Sequence, residues 1–222
     1  MQAVLPQIIG LLACVLMAGP VAATPDAEQR LREAARAGDP VVIEALLAQG
    51  VAIDAQDEQG NSALLLATAG NRTEAARVLV EAGADVNLQN ARQDSAYLLA
   101  GASGHLQILD LTLAHGADLR STNRFGGTAL IPACERGHVE TVRRLIVAGV
   151  DVDHVNHLGW TCLLEAVILG DGGPAHQRIV ALLIEAGADL QLADRDGVSA
   201  LRHAERRGQT RVAELLINAG AH

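Results

Sequence analysis

The chain has 222 residues, half of them apolar, with 17 basic against 26 acidic side chains and a formal net charge of −9. All the basic residues are arginine and none form a stripe, which argues against a nucleic-acid surface, since phosphate neutralisation needs clustered Lys or Arg. Tyr97, Phe125 and Trp160 are the only aromatic residues, so the interior must be built from Ala, Leu and Val, as suits short helices packed closely.

Residues 1–23 carry no charged side chain, and their apolar stretch over 8–17 is too short to span a membrane. Small residues at Val21, Ala22 and Ala23 then precede a polar segment. The pattern predicts an export signal cleaved after Ala23, which would place the mature protein in the periplasm or outside the cell. An alternative reading is a lipoprotein box over residues 11–14, anchored at Cys14.

After the signal, a glycine returns on a fixed beat at Gly50, Gly83, Gly116, Gly149, Gly187 and Gly220, in steps of 33, 33, 33, 38 and 33 residues. A fixed period of this length means one supersecondary unit copied along a line, each copy too small to bury its own apolar face. The predicted copies are 24–56, 57–89, 90–122, 123–155 and 156–193, with 194–222 as a C-terminal cap. Each holds two apolar-periodic stretches, 129–136 and 139–147 in the fourth, of the length of a helix of two to three turns.

Ser62, Ser95, Thr128, Thr161 and Ser199 stand where a hydroxyl can cap the first helix of each copy. Gly70-Asn71, Gly104, Gly137, Gly170 and Gly208 stand where a left-handed residue closes it. Pro132 falls in the first turn of its helix, where one lost backbone bond is tolerable. The last copy places His203 and Glu205 in slots that are apolar or small earlier, and residues 29–33 open the first copy with a polar helix. Both are expected of terminal repeats, which must show water a polar face.

The run Asp57-Glu-Gln-Gly60-Asn-Ser62-Ala-Leu64, the pair Gly137-His138 and the run Leu79-Val-Glu-Ala-Gly83-Ala-Asp85-Val-Asn87 together resemble the ankyrin repeat, over residues 24–222. The family's Thr-Pro-Leu-His run appears here as Ser-Ala-Leu-Leu at 62–65 and Thr-Ala-Leu-Ile at 128–131, without its proline and histidine. The resemblance implies an all-α solenoid of six helix-turn-helix repeats joined by β-turn or hairpin links. It also implies a monomeric, non-catalytic scaffold without a cofactor, which binds another protein through turn tips and first helices. The chain is similar to small exported bacterial proteins of this family, which suggests support of a stress-defence enzyme outside the cytoplasm.

Copies four and five hold the expected contact. Arg124, Phe125, His157, Leu158 and Trp160 flank the turns at Gly126 and Gly159, and aromatic and arginine anchors dominate interface energetics. Ile168 and Leu169 stand where earlier copies have small or charged residues. The long step into Gly187 places an insertion, 171–175, in the turn between the two helices of copy five. Asp171, Gly172, Gly173 and Pro174 are expected to form a loop that reaches out on the binding face. The competing expectation is that Trp160 folds over its own turn and 168–169 pack beneath the insertion.

No Gly-rich phosphate loop, His-Glu-x-x-His or Cys-x-x-Cys occurs, so no catalytic residue is expected. Asp54, Asp85, Asp118, Asp151 and Asp189 are read as one turn slot that bonds locally. His105 and His138 are structural, at the start of second helices. His154 and His157, flanked by Asp151 and Asp153, carry the alternative functional reading of a small-ligand or weak metal-binding module. Cys134 and Cys162 are placed near opposite ends of neighbouring helices. They are expected to be buried free thiols, because a disulfide requires Cα atoms within about 7 Å.

Overall fold

The computed structural model describes residues 25–222; the expected signal (1–23) and the anchor alternative at Cys14 lie outside the described residues. Six helix-turn-helix units follow one another. They are α1 (Pro25–Ala37) with α2 (Pro40–Ala48), α3 (Ala63–Ala69) with α4 (Thr73–Glu81), and α5 (Ala96–Ser103) with α6 (Leu106–Ala114). Then come α7 (Leu130–Glu135) with α8 (Val139–Ala148), α9 (Cys162–Ile168) with α10 (Pro174–Glu185), and α11 (Ala200–Arg206) with α12 (Thr210–Asn218). The odd-numbered helices stack on one another in one row and the even-numbered helices in a second row against them. The only β pairing among the described residues is an isolated bridge between Ala193 and Ser199. The expected all-α repeat solenoid is what forms.

The core runs the length of the stack because each copy repeats the same apolar positions. Leu64, Tyr97, Leu130 and Leu163 of the first row and Leu79, Leu145 and Leu183 of the second are buried. Burying a side chain of this size contributes about 1.5–3 kcal/mol. The contact is between copies, so no single copy could hold its fold alone.

Four of the five expected caps form. The hydroxyls of Ser62, Ser95, Thr161 and Ser199 accept from the N–H three residues on, at 3.2–3.5 Å. Thr128 does not cap, and its buried hydroxyl oxygen has no partner. The carbonyls of Ser62, Ser95, Thr161 and Ser199 accept the first helical bond from the residue four on. At Thr128 that residue is Pro132, which has no N–H, so α7 begins one residue late and Ala129 takes the cap position.

Asn71, Gly104, Gly137 and Gly208 have the expected left-handed backbone. Gly170 does not, and Gly172 of the insertion takes that conformation instead, at φ 67°. Gly170 is needed for closeness: a Cβ there would run into the Ala166 carbonyl and the His176 ring.

The expectation for the cysteines is overturned. Cys134 and Cys162 are joined by a disulfide, with Cα atoms 5.6 Å apart, and both are fully buried. Neighbouring first helices are offset along the stack, so that the fifth residue of one lies against the start of the next. The preceding copies show the same register, where a Cβ on Gly101 would meet the Ala129 Cβ at 2.7 Å.

The aspartates bond locally as expected, but in two slots. Asp85, Asp118, Asp151 and Asp189 each accept from the backbone N–H two residues on. Asp54 instead reaches the next copy and accepts from the Asp85 N–H at 3.0 Å, as Asn87 does from Asp118 and Asp153 from Asp189.

Candidate functional site

Each turn tip is built on one side chain. The Oδ1 atoms of Asp57, Asn90, Asn123, Asn156 and Asp194 accept from the backbone N–H groups two and four residues on. An Asx residue can close a turn in this way without help from the rest of the fold. Because the brace repeats, the tips project in register, and the residues between the bonds are displayed to solvent.

On copies four and five this display is apolar. Phe125, Leu158 and Leu169 are about half exposed, which is unusual for side chains so large. They line a cavity of about 170 Å³ together with Ile131, Pro132, Glu135 and Glu165 of the first helices, and Asn123, Gly127 and Asn156 of the tips. The Arg124 guanidinium lies over the Phe125 ring, 4.4 Å from its centroid, and also stands 3.8 Å from the Asp94 carboxylate. A larger depression, of about 460 Å³, lies over the first two copies. Its walls carry Arg32, Arg36, Glu33 and Asp57, charges of both signs, and are mostly polar, so the smaller and mostly apolar cavity is the better anchor site.

The other expected contact residues are divided. His157 is exposed, and its ring lies over Gly126 while its backbone N–H donates to the Phe125 carbonyl at 2.9 Å. Trp160 and Ile168 are half-buried and pack against the core, and neither lines the cavity. The insertion does not reach out. Gly173 caps α10, Pro174 occupies its first turn, and the helix absorbs part of the added length, running twelve residues against ten in α8. Asp171 accepts from the Gly173 N–H and from His176 Nδ1, both at 2.8 Å, and Gly172 packs against Gln209. The Gly173 N–H foremost, with His176, holds the Asp171 carboxyl below its usual range.

The insertion therefore lies at the C-terminal end of α9, one helix length from Trp160, and does not line the cavity. It reaches the site through His176, whose Nε2 donates to the Glu135 carbonyl at 3.0 Å. Both partners of the ring are acceptors.

Glu165 is the site residue that pattern reading missed. It is only 5 % exposed, and its Oε1 accepts from Asn156 Nδ2 at 2.7 Å. Burial, with the Glu135 charge beside it, pushes its carboxyl up from an ordinary 4.5 to about 7, against the lowering effect of the Asn156 bond. The signal was in the copies: Leu66, Leu99 and Pro132 occupy the slot where Glu165 stands. His203 follows in the last copy and bonds Asp194 at 2.7 Å, so the tip-to-helix pair recurs with other chemistry.

The cavity wall carries two carboxylates, Glu135 and Glu165, which can hold a proton or a cation, and no Ser, Thr, Cys, His or Lys. Of the alternative metal ligands, His154 commits Nε2 to the Gly126 carbonyl at 2.7 Å. Among the described residues no group of three or more His, Cys, Asp or Glu is arranged to hold an ion.

Comparison with known proteins agrees with the architecture. A family model of ankyrin repeats, three copies long, matches residues 12–90, 31–122 and 96–194. The crystal structure of an ankyrin repeat domain from Acinetobacter baumannii AYE is 59% identical, superposes with a TM-score of 0.85, and covers 86% of this chain and 98% of its own. A second crystal structure, of another ankyrin repeat protein, is 40% identical with a TM-score of 0.83, over 88% of this chain and 98% of its own. The ankyrin repeat protein YahD of Escherichia coli (strain K12) is 48% identical over 56 residues, which are 25% of this chain and 28% of YahD.

Proposed function

Because this chain belongs to the ankyrin-repeat family, whose repeats act as protein-interaction scaffolds, we propose that it is an exported scaffold that holds a partner protein through the groove of copies four and five. The observation that carries this reading is the half-exposed trio Phe125, Leu158 and Leu169 around one cavity. Large apolar side chains gathered at a concave, braced site are what a partner's anchor residue packs into. The insertion braces the end of α7 through His176. Export is supported by the Cys134–Cys162 disulfide, since such bonds form and persist in oxidising compartments.

The test is retention of an exported partner on immobilised protein, beginning with stress-defence enzymes of the same compartment. The pair Phe125→Ala and Leu158→Ala truncates two half-exposed side chains outside the fully buried core, so the fold should persist with only a small shift in melting temperature while retention is lost. Retention undiminished by the pair would place the contact elsewhere and sink the reading.

A further inference from the structure

The groove has a chemical preference built into its floor, and this inference rests on the interaction reading above. A cavity of about 170 Å³ is smaller than the roughly 300–1,000 Å³ clefts that enclose small-molecule ligands. It has room for a single side chain. Its rim is apolar at Phe125, Leu158 and Leu169, yet its floor presents the acidic residues Glu165 and Glu135.

Glu165 is more than nine-tenths buried, and its environment is half-complete. Asn156 occupies one carboxylate oxygen, and no donor among the described residues bonds the other. Glu135 adds a second negative charge beside it and no compensating cation lines the cavity. The second oxygen is not sealed from solvent, so a charged donor brought by a partner can reach it, and a charge-assisted bond there would offset the repulsion from Glu135.

We propose that the groove is a receptor for one arginine side chain of an extended partner segment, its aliphatic stem against Phe125, Leu158 and Leu169 and its guanidinium at Glu165 and Glu135. Arginine fits this arrangement better than lysine for two reasons. Its planar fork can serve two carboxylates at once, and its weaker hydration lowers the cost of entering an apolar rim.

The test uses four labelled hexapeptides, Gly-Ser-Ala-X-Ala-Ser with X as Arg, Lys, Leu or Glu, titrated against the whole protein at pH 8. The arginine peptide should bind about tenfold or more tighter than the leucine peptide, and high salt should shrink the difference. Glu165→Gln keeps the acceptor for Asn156 and removes the charge, so it should abolish the preference without altering the fold, as circular dichroism can check. Equal binding of arginine and leucine peptides, including no binding by either, overturns the proposal, and a lysine peptide as tight as arginine overturns the choice of arginine. If Glu165→Gln leaves partner retention intact while Phe125→Ala with Leu158→Ala abolishes it, the groove stands and the arginine fails. If neither change affects retention, the groove reading itself fails.

Discussion

Cys134 and Cys162 occupy the slots that Gly101 and Ala129 fill one copy earlier, and their Cα atoms are 5.6 Å apart across the joint between copies four and five. That joint is the floor of the groove, so the disulfide fixes the two first helices that carry Glu135 and Glu165. The bond closes a loop of 28 residues, and chain entropy then predicts a stabilisation of about 3–4 kcal/mol. Cys134→Ala with Cys162→Ala removes only the two sulfurs from Cβ atoms already in place, so it adds no clash. Urea unfolding should show the loss, and thiol labelling of the unreduced, unfolded protein should find neither cysteine free. Because both sulfurs are buried, a reductant should open the bond slowly in the native state and quickly on unfolding.

Glu165 predicts an unusual pH dependence. Its folded-state pKa, about 7, lies above the ordinary 4.5, so between these values the native state binds more protons than the unfolded chain. Stability from this group is therefore unaffected at low pH and falls as pH rises from about 5 to about 7.5, by about 3 kcal/mol at most. The Glu165→Gln protein should lack this slope. Paired denaturation curves at pH 5 and pH 8 check it, and parallel behaviour of the two proteins would assign the slope to other groups.

Much of this architecture was legible because a solenoid repeats its instructions. The glycine beat, the Ser and Thr caps and the local aspartate bonds each depend on residues close in sequence, and they came out as read at all but a few positions. What was not legible depends on contacts between copies or along one helix end. The offset that brings Cys134 to Cys162 is a property of the stack and appears in no single copy. The insertion read as a loop because Gly172 and Gly173 are flexible, yet Pro174 at a first-turn position is a helix-start signal, and α10 begins there. The depth of Glu165 follows from the tips and Glu135 closing around it.

Gly170 offers a test of how closely the insertion is folded down. Its backbone is not left-handed, so alanine would be tolerated if space were the only question and the turn were loose. A Cβ there meets the Ala166 carbonyl, which is backbone of α9, and the His176 ring, which cannot move without losing its bonds to Asp171 and Glu135. Gly170→Ala should therefore cost about 1–3 kcal/mol and loosen the end of α7. Hydrogen exchange in residues 130–138 should rise. An unchanged melt would mean that the insertion is not braced as described.

Thr128 and Thr161 hold equivalent positions and should respond to valine in opposite directions. Thr161 caps α9, its hydroxyl accepting from the Leu164 N–H at 3.3 Å, so Thr161→Val should lose about 1 kcal/mol. The Thr128 hydroxyl is buried with no partner, because Pro132 delays the start of α7 and the cap does not form. Burying an unpaired hydroxyl is unfavourable, and valine has nearly the same shape without that cost, so Thr128→Val should be neutral or stabilise by about 1 kcal/mol. Restoring the N–H with Pro132→Ala should let Thr128 cap, and Thr128→Val in that background should then become destabilising. A double-mutant cycle read by urea midpoints measures the reversal, and additive effects would show that Pro132 is not what keeps Thr128 from capping.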